Sequence, residues 1–137
     1  GDDVTTFRRT VTPSGRVPVA GLVTVEFTVQ LASTADAGCW RVTDLVPSGL
    51  APTSRVGGSW YDDDEDATDN VIRPWRVDGQ RVDFCVTLDA KHPVQVLRYV
   101  ARVVSPGTYR WEPAVIQSTI VREHGAVLPA TEMLIGD

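Results

Sequence analysis

The chain has 137 residues, with 13 Lys and Arg against 18 Asp and Glu for a formal net charge of −5, and 42% of it is hydrophobic. A chain of this length folds as one domain and buries roughly two-thirds of its unfolded surface, so its core needs neither a metal nor a dense disulfide framework. The acidic balance excludes a phosphate-backbone binder, which depends on clustered positive charge, and no apolar run approaches the roughly 18 residues of a membrane-spanning helix.

Taken in order, the first predicted strand is Val4 to Thr10, followed by turn residues Pro13-Ser14-Gly15. From Leu22 to Leu31, Val23, Val25, Phe27 and Val29 alternate with Thr24, Glu26, Thr28 and Gln30. That period of two marks a strand with one buried and one wet face. Cys39 to Val46 reads as the next strand and ends at Pro47-Ser48-Gly49; Gly57-Gly58 marks a further turn. Val71 to Val77 reads as a strand that Asp78-Gly79 folds back onto Gln80 to Leu88, since Asp-Gly tolerates the positive φ of a tight hairpin turn. Pro74 before Trp75 places that strand at an edge or a bulge. Leu97, Tyr99, Ala101 and Val103 continue the alternation, Pro106-Gly107 turns the chain, and Ala114 to Val121 and Val127 to Ile135 complete the strands around His124-Gly125. No helical period survives uninterrupted by Pro or Gly. The expected fold is all-β: a two-sheet antiparallel Greek-key β-sandwich with little or no helix. Gly1-Asp2 at the start and a lone Met133 near the end lead us to expect residues 1–137 to be a single domain excised from a larger extracytoplasmic protein.

Cys39 and Cys85 both fall in predicted strands, Cys85 on the polar phase; if Trp40 and Val42 point inward, Cys39 shares that outer face. A cross-strand disulfide and two reduced thiols are the alternatives. Paired cysteines without a C-x-x-C motif favour the disulfide and an oxidising compartment. Closing so long a loop stabilises by roughly 4 kcal/mol in the chain-entropy model.

Asp62-Asp63-Asp64-Glu65-Asp66 with Asp69 packs six carboxylates into eight residues. Oxygens at alternate positions suit Ca²⁺, making Asp62, Asp64, Asp66 and Asp69 the candidate ligands. An EF-hand counted from Asp62, however, would need Gly where Ala67 stands and Glu where Arg73 stands. The expectation is a solvated loop extended by like-charge repulsion, with no cofactor. Trp40, Trp60, Trp75 and Trp111 could make a sugar-stacking platform, but tryptophans in a small sandwich more often pack its core and rim. His92 and His124 fall in turn-like segments and read as solvated. Ser59 lacks the flanking glycine of a nucleophile elbow, and no Walker A loop, H-E-x-x-H or C-x-x-C occurs. Arg98 and Arg102, on an outer phase, are expected to pair across the sheet with Asp83.

Longer strings resemble a known family. Val42-Thr43-Asp44-Leu45-Val46-Pro47-Ser48-Gly49-Leu50 is similar to the "V-x-D-x-L-P-x-G-L" strand and turn in the last domain of bacterial alpha-2-macroglobulin family proteins. Arg81-Val82-Asp83-Phe84 resembles that domain's "R-V-x-F". The segment Tyr99-Val100-Ala101-Arg102-Val103-Val104-Ser105-Pro106-Gly107-Thr108-Tyr109 resembles its "Y-x-x-R-x-x-x-P-G-x-F", and Glu112-Pro113-Ala114 its "P-P-A". The family's "M-Y-x-P" string is replaced by Gln117-Ser118-Thr119-Ile120-Val121, and the helix of the animal receptor-binding domain has no visible equivalent. The thioester motif Cys-x-Glu-Gln is absent too: Trp40-Arg41-Val42 follows Cys39, and Val86-Thr87-Leu88 follows Cys85.

The resemblance implies a β-sandwich without catalytic residues, the terminal domain of an extracytoplasmic (secreted, periplasmic or cell-surface) protease trap. Its implied partners are the neighbouring domains of the same parent chain and, through the full-length protein, proteases. A cell-surface adhesion or stalk module and a carbohydrate- or calcium-binding module are the competing readings. An enzyme is not expected, because no set of acid, base and nucleophile can be named.

Overall fold

The computed structural model describes residues 2–53 and 70–136. Among these the chain forms the strands β1 (Val4–Thr12), β2 (Leu22–Leu31), β3 (Trp40–Leu45), β4 (Leu50–Pro52), β5 (Val71–Ile72) and β6 (Arg76–Asp78). They are followed by β7 (Arg81–Val86), β8 (Val94–Val103), β9 (Gly107–Trp111), β10 (Ala114–Ser118), β11 (Gly125–Leu128) and β12 (Thr131–Ile135), and the described residues contain no helix. One sheet runs β1-β2-β8-β4, with β5 also on β8; the other runs β11-β10-β3-β7-β6; β12 and β9 form a separate ribbon. The chain changes sheet between β2 and β3, returns for β4 and β5, crosses again for β6 and β7, and comes back at β8. The pairs β2/β8 and β3/β7 therefore join strands distant in sequence, as in a Greek key.

The alternation in β2 drives this packing. Val23, Val25, Phe27 and Val29 are fully buried, while the residues between them are half-buried on the outer face. Trp40, Val42, Val82, Phe84 and Val86 fill the facing layer. Each fully buried Val or Phe contributes on the order of 1.5–3 kcal/mol before the entropy cost of ordering the chain. Aromatic rings link the layers: Phe7 stacks on Phe27 at 5.7 Å, Phe27 meets Phe84 edge-on at 6.0 Å, and Phe84 lies 6.2 Å from Tyr99.

Several boundaries differ from the sequence reading. The run Val71 to Val77 is two strands in different sheets, β5 parallel to β8 and β6 antiparallel to β7. Buried Pro74, which has no N–H for a ladder, stands in the break. Trp75 is exposed beside β6, and β6 is the edge strand of its sheet, as Pro74 suggested. The run Val127 to Ile135 is likewise divided at Pro129-Ala130 into β11 and β12, and β9 begins at the glycine taken for a turn. In the β6–β7 hairpin Asp78 pairs with Arg81, so the central turn residues are Gly79 and Gln80, one position later than expected. Gly79 supplies the positive φ (59°) that the first central position requires.

Gln80 gives that shift a physical reason. Its side-chain amide lies 3.0, 2.9 and 2.8 Å from the carbonyls of Val46, Pro47 and Leu50, and its own carbonyl accepts from Val46 N at 2.8 Å. Two amide hydrogens serving three carbonyls lock the β3–β4 turn to the β6–β7 hairpin. At about 1 kcal/mol per net hydrogen bond, Gln80→Ala should lower unfolding stability by about 1–2 kcal/mol in urea titrations. A change below about 0.3 kcal/mol would show the latch to be energetically silent.

Candidate functional site

The densest polar chemistry lies inside the sandwich. In β3, Trp40 and Val42 point inward, and two residues further on the same phase carries Asp44, which has no exposed surface. In β1, Phe7, Arg9 and Val11 stand opposite Val29, Phe27 and Val25, the inward residues of β2. Arg9 therefore reaches across the core, its Nη1 2.7 Å from Asp44 Oδ1, with both side chains buried. Tyr99 of β8 donates its hydroxyl to Asp44 Oδ2 at 2.5 Å, and Trp111 of β9 donates Nε1 to Oδ1 at 3.1 Å. The Arg9 guanidinium also lies 4.7 Å from the Trp111 ring centroid, a cation–π contact.

Burial holds the Asp44 carboxyl above the ordinary 3.8, against the opposing pull of Arg9 and the three hydrogen bonds. Burial, reinforced by Asp44, drives the Tyr99 phenol well above 10.0, so it stays a donor. With no exposed surface the Asp44 carboxylate cannot meet a substrate. It ties both sheets and the β9–β12 ribbon together. The sequence carried a signal for this: opposite charges on the inward phases of β1 and β3, where the pattern calls for apolar residues.

Asp83 is also fully buried, although it lies on an outer phase. It accepts from Thr43 Oγ1 at 2.7 Å and from Arg81 Nε at 3.0 Å, and Arg76 Nη2 lies at 3.4 Å. The expected pairing with Arg98 and Arg102 is incorrect, because those arginines belong to β8 in the other sheet; Arg98 instead meets Glu26 at 2.6 Å. Cys39 and Cys85 are joined, with Cα atoms 5.4 Å apart, on the outer side of β3 and β7 where Cys85 faces Arg41.

The histidines are not simply solvated. His92 Nδ1 lies 3.1 Å from Asp89 Oδ2, and His124 Nδ1 lies 2.7 Å from Asp36 Oδ2 and 3.3 Å from Asp3 Oδ2. The bond to Asp36, with lesser help from the charges of Asp3 and Glu123, raises His124 above its usual 6.5. Neither ring has a nucleophile beside it among the contacts of the described residues. Of the tryptophans, Trp40 and Trp111 are core and Trp75 is rim. Trp60, Ser59 and the candidate calcium ligands Asp62, Asp64, Asp66 and Asp69 lie outside the described residues. Among the described residues no three His, Cys, Asp or Glu are disposed to hold a metal.

No family model matches the chain, and no curated protein sequence does. Solved structures match along its whole length. Native alpha-2-macroglobulin from Escherichia coli, spanning domain MG7 to the C-terminus, superposes with a TM-score of 0.74 at 19% identity, over 98% of this chain and 24% of that one. E. coli alpha-2-macroglobulin activated by porcine elastase gives 0.71 at 20% identity, over 100% of this chain and 13% of that one. Salmonella alpha-2-macroglobulin reacted with methylamine gives 0.71 at 19%, over 98% and 9%. The chain has a macroglobulin-like β-sandwich fold, and it spans a quarter or less of the length of these solved chains.

Removing Asp44 would leave Arg9 buried and unpaired, so Asp44→Ala should cost about 3–5 kcal/mol of unfolding stability. Tyr99→Phe, which removes one hydrogen bond to a charged group, should cost about 1.5–3 kcal/mol. Urea titrations showing Asp44→Ala within 1 kcal/mol of wild type would contradict the central role of this carboxylate. His124, raised in the folded state, adds stability that is full below 6.5 and is lost as pH rises through its raised value. Asp89, held below 3.8 chiefly by its hydrogen bond with His92, acts only in the acid range and does not overlap that window. The thermal midpoint should therefore fall as pH rises above 6.5, and His124→Gln should remove the fall.

Proposed function

We propose that this domain is a non-enzymatic packing and docking module, the terminal sandwich of a protease-trapping alpha-2-macroglobulin-like protein. The observation that carries the reading is the end-to-end superposition on alpha-2-macroglobulin structures, two of them of the protein activated by elastase or trypsin. The internal chemistry agrees with it. The carboxylates Asp44 and Asp83 are both spent on holding strands together, and Tyr99 is a fixed donor to one of them. The strings around Asp44, Tyr99 and Pro106-Gly107 that resemble the family's terminal domain fall on this framework: Asp44 and Tyr99 are bonded to each other.

Trapping would then belong to the parent chain, with this domain contacting neighbouring domains and meeting proteases only through the full-length protein. The Cys39–Cys85 bond supports assembly in an oxidising, extracytoplasmic compartment. Calcium and other cofactors have no part in the proposal.

The test is to express the full reading frame that contains this domain and measure its entrapment of elastase and trypsin, with and without residues 1–137. Entrapment by the whole protein, with the isolated domain leaving both proteases fully active, is the expected result. Stoichiometric inhibition by the domain alone, or a parent protein that carries no other macroglobulin domains, would overturn the proposal.

A further inference from the structure

A hollow of about 270 Å³ opens on the outer side of the β3/β10 pair, lined by Arg41, Gln117, Ser118, Thr119 and Arg122. Arg41 and Gln117 face each other across the two strands and form its floor. The turn after β10 forms its wall and is held in place by several bonds. Gln117 Nε2 donates to the Arg122 carbonyl at 2.8 Å. Thr119 donates to the Cys39 carbonyl twice, through N at 3.1 Å and Oγ1 at 2.6 Å. The wall is thus fastened to the residue that carries the disulfide.

Two features of this hollow call for a ligand. Although the chain is acidic overall, the two guanidiniums lining the hollow have no carboxylate partner among the described residues. Of the nearby acids, Asp36 and Asp3 are turned to His124 on the same β10–β11 connection, where Glu123 adds a further negative charge beside Arg122. Ser118, on the inward phase of β10, fixes the turn by accepting from the backbone N–H groups of Ile120 and Val121 at 3.1 and 3.0 Å. Two planar donor forks at one small hollow suit oxygen atoms that carry negative charge.

We propose that this hollow is an oxyanion-binding site, with Arg41 and Arg122 clamping the anion. Carboxylate, phosphate and sulfate share the required chemistry. This assignment stands apart from the protease-trap reading, since it concerns a ligand of the domain itself.

The test is a ¹⁵N NMR titration of the 137-residue chain with inorganic phosphate, sulfate and glutarate at constant ionic strength. Saturable shifts at the Arg41 and Arg122 Nε–H groups and along the β10–β11 connection are expected. Arg41→Gln with Arg122→Gln should weaken binding at least about 10-fold, while Arg8→Gln with Arg102→Gln, outside the hollow, should leave it unchanged. Arg122→Gln alone, in an exposed turn, keeps the test valid if the double variant loses its dispersed spectrum. Saturation by phosphate and sulfate identifies a tetrahedral anion; preference for glutarate identifies a carboxylate ligand. Shifts that grow linearly with all three anions, or binding unchanged in the Arg41 and Arg122 variants, would overturn the assignment.

Discussion

The structure depends on one buried carboxylate. Asp44 receives donors from β1, β8 and β9, and so joins an edge strand and a central strand of one sheet, and the small ribbon, to the middle of the other sheet. Hydrophobic burial is non-directional and would tolerate the layers sliding or rotating over each other. A carboxylate with three fixed donors does not, because any displacement strands a buried charge. A buried ion pair adds little net stability relative to apolar residues of the same size, whereas losing one partner is expensive. Its contribution here is to select one arrangement of the strands.

Around that centre, smaller fasteners secure the places where the chain changes sheet. Gln80 gathers the carbonyls of the β3–β4 turn onto the β6–β7 hairpin. His124 draws together the β2–β3 connection at Asp36 and the N-terminal segment at Asp3. The disulfide joins the start of β3 to β7, and Thr119 extends that attachment to the turn after β10. These devices differ in strength. The exposed pairs, such as Arg110 with Glu112, contribute at most about 1 kcal/mol, while the enclosed groups decide whether the framework holds. Such internal use of polar side chains leaves few of them, among the described residues, for chemistry at the surface. Arg41 and Arg122 stand out against that pattern.

Much of the sandwich was legible in the chain. The period of two in β2, β7 and β8 assigns their faces correctly, because burial on one side demands apolar residues at every second position. The outward phase of Cys85, with Trp40 and Val42 inward, placed both cysteines on one face, where the structure joins them. Errors came where the local pattern was satisfied by more than one partner. Val71 to Val77 and Val127 to Ile135 each look like one strand, yet each serves two sheets, because Pro74 and Pro129 interrupt the ladder without interrupting the alternation. Phase tells which side a residue faces and not which sheet it is in, so Asp83 of β7 and the outward arginines of β8, expected as partners, lie on different sheets.

The amino-acid sequence by itself determined the all-β class and the inward and outward faces of the long strands, both of which follow from spacing and residue type along the chain. Only the tertiary structure decided which strands are neighbours, that Asp44 and Arg9 neutralise each other inside the core, and that Arg41 and Arg122 meet at one hollow. Those facts join residues 35 and 81 positions apart. They depend on how the sheets stack, which no local periodicity encodes. The opening count of −5 thus acquires a geography: among the described residues the buried acids Asp44 and Asp83 are paired, while Arg41 and Arg122 line one hollow.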